Sequence, residues 1–185
     1  MHMAYDFSKL TKGIEETKEW LTRELAGVRT GRASPALLDS VRPEAYGTRS
    51  PITQLGSVSI EDARTLRVIP WDKALVKNIE KGIAEANLGI STAVDDMGLR
   101  VIFPELTSER RVMLTKIAGE KLEAAKVTLR SHRTDALHDL DAQEKAGGIG
   151  KDEIARLKED VQKQIDKAQE ALAALAKKKE EEIAT

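Results

Sequence analysis

The residues whose types and spacing could do chemistry are basic. Lys126, Arg130 and Arg133 recur at gaps of four and three, which puts all three on one face of a helix. Arg29 and Arg32 end the first helical stretch in the same charge. A planar guanidinium grips a phosphate through two parallel N–H bonds, so such a set suits an RNA backbone. Taken by itself, the face suits a solvated role better, paired with acids of a neighbouring helix, and Glu123 and Asp135 lie close by. Arg110 and Arg111 stand out for another reason. They follow Thr107-Ser108-Glu109 in the first turn of a helix, against the positive end of its dipole, at a small electrostatic cost.

Enzymatic signals are weak by comparison. His132 and His138 are six apart, not the i,i+4 spacing that brings two imidazoles to one metal. His132 falls on an apolar seam, where a packed, hydrogen-bonded histidine is expected. Ser34 in Gly31-Arg32-Ala33-Ser34-Pro35 is a turn residue and not a nucleophile elbow. Gly147-Gly148-Ile149-Gly150 lacks the preceding strand of a phosphate loop. No catalytic residue, metal site or cofactor is read. The absence of cysteine excludes disulfides and thiolate chemistry and suits a reducing cytoplasm. With 30 basic and 31 acidic residues the net charge is -1, so attraction to nucleic acid must come from a local patch. No apolar run is long enough for a membrane span or a signal-peptide core, and a cytoplasmic monomer is expected. Met1-His2-Met3 reads as a cloning remnant.

The element that must position the basic face runs from about Leu106 to Lys145. It contains no proline and only one glycine, Gly119, and apolar or small residues recur at Leu114, Ala118, Leu122, Ala125, Leu129, His132, Ala136 and Leu140. A helix of roughly forty residues is about 60 Å long and cannot bury its seam against itself. Two further stripes match it. Phe7, Leu10, Ile14, Leu21, Leu25 and Val28 predict a helix from about Tyr5 to Arg29, though Gly13, Gly27 and a skipped turn weaken it. Ile154, Leu157, Val161, Ile165, Ala168, Leu172 and Leu175 predict the last helix. Three stripes make a three-helix bundle.

Between the first and second stripes the period changes. Breakers cluster from Pro35 to Pro104, with β-rich runs at Leu37 to Val41, Val58 to Ile60, Leu66 to Ile69 and Leu99 to Phe103, and a helix from Asp72 to Ala86. The fold class expected is therefore α+β: a long three-helix bundle, 1–30 and 105–185, with an inserted β/α/β domain, 31–104. The chain leaves the bundle at Thr30-Gly31 and re-enters it at Pro104-Glu105. Two short adjacent links of this kind form a hinge.

Specific words in the sequence then narrow the reading. Arg29-Thr30-Gly31-Arg32-Ala33-Ser34-Pro35-Ala36-Leu37-Leu38, Tyr46-Gly47, Pro51-Ile52-Thr53-Gln54-Leu55, Arg64-Thr65-Leu66, Pro70-Trp71-Asp72-Lys73, Ile79-Glu80-Lys81, Leu88-Gly89 and Leu106-Thr107-Ser108-Glu109-Arg110-Arg111 resemble the bacterial ribosome recycling factor family over nearly the whole chain. The resemblance implies an L-shaped molecule of transfer-RNA-like outline. It implies binding in the intersubunit space of the post-termination ribosome, contact between the bundle and large-subunit ribosomal RNA, and subunit splitting with elongation factor G and GTP. The chain itself would be no enzyme, the GTP being hydrolysed by its partner. The family's RNA-contacting arginines correspond to Arg110, Arg130 and Arg133. Where the family has Arg-Asn-x-Arg-Arg this chain reads Arg130-Ser131-His132-Arg133-Thr134, one arginine fewer. A helical adaptor that docks a protein through its bundle is the alternative, and salt separates the two, since phosphate binding weakens steeply as salt rises.

Overall fold

The computed structural model describes residues 5–185, so Met1-His2-Met3 lies outside the described residues. The class is α+β. The chain divides into two compact units, one formed by residues up to Leu25 with Ile117–Lys179, the other by Ala26–Lys116 with Glu180–Thr185. The second takes in the whole segment 31–104 and adjoining residues on either side.

The first unit is built from helix α1 (Ser8–Ala26), from α4 (Ser108–Lys145) beyond Lys116 and from α5 (Lys151–Ala184) up to Lys179. The stripes read from the sequence are the ones that go inside. Leu21, Ala118, Ala125, Leu129, Leu140, Val161 and Leu172 have no exposed surface, while Leu122, His132, Leu157 and Leu175 lie half-buried at the edges of the seam. Alanines share the seam with larger aliphatic side chains, so the core is thin.

The skipped turn in α1 has a packing cause. Thr17 occupies it, buried, and its hydroxyl donates to the Gly13 carbonyl at 2.7 Å, which satisfies the group without a partner outside the helix. Gly13 itself faces the His132 ring: a Cβ there would lie 2.8 Å from His132 Cε1 and Nδ1. His132 is thus packed as expected, but against a glycine, and no hydrogen bond to it occurs among the described residues. At its start α1 is held by Asp6, whose carboxylate accepts from Ser8 N at 2.8 Å and Ser8 Oγ at 2.9 Å. Tyr5 reaches α4, donating to Asp139 Oδ2 at 2.9 Å, and burial and that bond push its phenol up to about 12. The helix stops at Ala26, short of the predicted Arg29, because Arg29 turns away to other partners. Gly147, at φ +74, ends α4 in the left-handed conformation, with Gly147 N and Gly148 N donating back to Glu144 O and Gln143 O at 2.9 and 3.3 Å.

In the second unit a four-stranded antiparallel sheet has the order β3 (Gly56–Asp62), β4 (Thr65–Pro70), β6 (Gly98–Ile102), β5 (Ser91–Asp95), written here in spatial sequence. A two-residue hairpin, β1 (Glu44–Ala45) and β2 (Thr48–Arg49), and the short helix α2 (Ile52–Leu55) precede it. Leu66, Val68, Leu99 and Val101 point to one face, where Leu75, Ile79 and Ile83 at the start and along α3 (Val76–Glu85) cover them. On the other face Arg67 pairs directly across from Arg100, a like-charge contact that Glu61 and Asp95 from the flanking strands offset at 2.5–3.3 Å. The run Leu37 to Val41 is not a strand. It forms a 3-10 turn, Pro35–Ser40, that buries Leu37 and Leu38, because Pro35 starts the turn with the fixed φ a helical first residue needs. Asp72 caps as expected, accepting from Ala74 N at 2.9 Å, although the turn it caps is 3-10 before α3 begins. Trp71, just past β4, is 70% exposed, and Trp20 on α1 is half-buried. Among the described residues no helix is long and apolar enough to cross a membrane.

Gly13→Ala should lower the melting temperature by several degrees, since overpacking a filled seam costs about 1–3 kcal/mol. Combining it with His132→Ala should lose less than the sum of the two single losses, as thermal unfolding of all three variants would show. The Arg67 hydrogen bond holds Asp95 below its ordinary value of 3.8. Its contribution to stability is therefore present above that value and lost as pH falls through the lower folded value. Urea unfolding should show Asp95→Asn less stable than the parent at neutral pH, with the gap closing in acid.

Candidate nucleic-acid interface

The six basic residues singled out by the sequence fall into two groups. Lys126, Arg130 and Arg133 belong to α4 in the first unit. Arg29, Arg32 and Arg110 belong to the second unit.

On α4 the two arginines differ from the lysine. Lys126 donates to Glu123 at 3.1 Å within its own helix, so its charge is partly offset. Arg130 is exposed and has no acidic partner among the described residues. Arg133 is exposed too, and its Nε donates to Gln162 Oε1 on α5 at 2.7 Å. Gln162 is oriented in turn by donating through Nε2 to Asp166 Oδ1 at 2.8 Å. A neutral amide thus fixes the direction of Arg133 without cancelling its charge, and both terminal nitrogens stay open for a bidentate ligand. Gln162 was not legible as a site residue: its partner lies on another helix, and no local signal marks it.

In the second unit Arg29 and Arg110 meet over Gly89. A Cβ at Gly89 would lie 3.0 Å from Arg110 Nη2 and 3.3 Å from Arg29 Nη1, at a backbone φ of +69 that favours glycine in any case. Neither guanidinium has a carboxylate partner among the described residues. Arg29 is only 7% exposed. Its Nη1 donates to the Gly89 carbonyl at 2.5 Å, its Nη2 donates to the Pro104 carbonyl, and its guanidinium carbon stands 5.8 Å from the centre of the Phe103 ring. Burial, and then the charge of Arg110, pull the Arg29 guanidinium below its ordinary value. The structure therefore places Arg29 inside, as a tie between the end of the first link and the start of the second, where the sequence had it as a surface contact. Arg110 is half-buried, its backbone N–H donating to Thr107 Oγ1 at 3.1 Å, which makes Thr107 the cap expected. Arg32 is exposed, and its backbone N–H donates to Thr30 Oγ1 at 3.2 Å. Arg29 Nε and Arg111 Nε are buried without a partner.

What the arrangement offers is polyanion binding. Two exposed arginines without acids on a rigid helix, and a second pair of guanidiniums with none, create local positive potential in a chain of nearly zero net charge. No group of three or more His, Cys, Asp or Glu that could hold a metal ion occurs among the described residues. Replacing Arg29 by alanine strands the Gly89 and Pro104 carbonyls and should destabilise the second unit by about 2–4 kcal/mol, read by denaturant unfolding. Arg130→Ala, with no protein partner to lose, should stay within about 0.5 kcal/mol of the parent in the same assay.

Comparison with known proteins bears on what binds there. The family model for ribosome recycling factor matches residues 21–184. A ribosome-recycling factor of Erythrobacter litoralis is 41% identical over 181 residues, covering 98% of each chain. One from Rickettsia conorii is 45% identical over 176 residues, covering 95% of each. A solution structure of the ribosome recycling factor superposes with a TM-score of 0.74 at 35% identity, covering 96% of this chain and 95% of that one. A T. thermophilus ribosome recycling factor, described with E. coli elongation factor G bound to the E. coli post-termination complex, has a TM-score of 0.67 at 36% identity and covers 96% of both chains. Matched along almost its whole length by model, relatives and solved structures alike, this chain belongs to the ribosome recycling factor family.

Proposed function

We propose that Arg110, Arg130 and Arg133, with Lys126 and Arg32 beside them, contact phosphates of large-subunit ribosomal RNA, and that Arg29 serves this surface from within by tying down the Gly89 and Pro104 carbonyls beside Arg110. The chain is a ribosome recycling factor, a translation factor without catalysis of its own. It acts in the cytoplasm as a monomer, on the post-termination ribosome, with elongation factor G as the partner that hydrolyses GTP while the subunits separate. The observation that carries the RNA assignment is Arg133: exposed, aimed by a neutral Gln162, and matched by no acid among the described residues. The structural arginines here are either paired with carboxylates, as Arg67 and Arg100 are on the sheet, or buried against backbone carbonyls, as Arg29 is; Arg133 is neither.

Movement is the second part of the reading. The bundle, 1–30 and 105–185, and the inserted domain, 31–104, meet at Thr30-Gly31 and Pro104-Glu105, and these four residues are the hinge. One fact supports it: a Cβ at Gly31 would meet nothing within 4 Å, so no neighbour blocks a change of backbone angle there.

Arg133→Glu should keep the parent's circular dichroism and melting temperature yet abolish ribosome binding in co-sedimentation with purified large subunits. The parent's affinity should fall steeply with salt, and Arg133→Gln should flatten that dependence by about 0.7–0.9 in log–log slope for each phosphate it no longer neutralises. Retained affinity in Arg133→Glu, or a salt-independent parent, would remove the arginine assignment.

A further inference from the structure

We infer that Gly119 marks the point where the sugar–phosphate backbone of the bound RNA comes closest to α4, the missing side chain admitting it against the helix backbone. The inference rests on the RNA-binding reading above and deepens it by adding a residue that no charge argument selects.

Three glycines stand inside α-helices of the described residues: Gly13, Gly82 and Gly119. Two have a reason within the fold. A Cβ at Gly13 would strike the His132 ring at 2.8 Å, and one at Gly82 would lie 3.0 Å from Pro43 Cα. At Gly119 a Cβ would meet nothing within 4 Å. Glycine is the poorest helix former after proline, and here it sits inside a helix of 38 residues with open space where its side chain would be. No neighbour within the described residues accounts for the missing side chain, and the inference assigns it to the bound partner.

Its position points to what that partner is. Gly119, Glu123, Lys126, Arg130 and Arg133 follow one another at gaps of four, three, four and three, so all five lie on one helix face. Gly119 precedes Arg130 by about 16 Å along the axis, at about 1.5 Å per residue. Between them Glu123 is drawn into its ion pair with Lys126 at 3.1 Å, which offsets the carboxylate that would otherwise repel a phosphate on this face. A polyanion fixed at one end by Arg130 and Arg133 then runs along the helix toward Gly119, where it meets backbone alone. Glycine is the residue that permits a second backbone to approach this closely.

The test pairs two readouts that a purely structural role would move together. Gly119→Ala and Gly119→Leu are made in the full chain, with Arg133→Glu as reference, and each is measured for thermal unfolding and for binding to purified large ribosomal subunits across a salt series. Gly119→Ala should melt at the parent's temperature or above it, yet bind about tenfold or more weakly, with Gly119→Leu weaker still. The salt slope of both should equal the parent's, since neither removes a charge. Parent-like binding by Gly119→Ala, or a fall in its melting temperature, overturns the inference. If Arg133→Glu also binds as the parent does, the RNA reading itself has failed; if only the Gly119 variants are neutral, this inference fails alone. A parent whose binding ignores salt while the Gly119 variants bind poorly would point to an apolar protein contact and overturn the RNA assignment.

Discussion

The constraint on which the bundle depends is that a helix of 34 or 38 residues carries an apolar stripe too narrow and too long to bury against itself. Helix α1, with 19 residues, would be marginal in water by its own propensity. Each therefore needs the others along most of its length, and the chain has to come back after its excursion through the sheet. Because the apolar stripes are buried along the shared seam, the faces turned outward are free to be charged.

On that outward face Arg133 presents its terminal nitrogens in a direction set by Gln162 from the neighbouring helix, so its guanidinium is oriented in advance. The same logic appears in the second unit in a different form. Arg29 and Arg110 repel each other over Gly89, and what holds Arg29 there is a pair of backbone carbonyls and an aromatic face, not an acid. Neutral acceptors secure a cation without cancelling its field.

Much of this could be read from spacing alone. The three seams, the Thr107 cap, the Asp72 cap and the central strands all announce themselves through local periodicity or a local side-chain bond, and the basic face of α4 follows from gaps of four and three. The misreadings share one cause, which is that the deciding interaction is not local. The strand expected at Leu37 to Val41 is a 3-10 turn because its leucines face the sheet's core and Pro35 sets the entry. Strand β5 escaped notice because it is an edge strand with four of its five residues exposed, so its pairing with β6 leaves no apolar alternation. Arg29 reads like any other arginine at a helix end until Gly89 and Pro104 are brought to it from 60 and 75 residues away.

The placement of the two tryptophans gives the molecule a built-in optical signature. Trp20 lies half-buried in the unit made of helices, Trp71 is mostly bared to solvent in the unit that carries the sheet, and the sequence holds no third. An indole in water emits at longer wavelength than one shielded by apolar neighbours, so native fluorescence is a sum of a bluer and a redder source. Each source reports on its own half of the chain, and the loss of shielding around Trp20 would register the opening of the helices without any label having been attached.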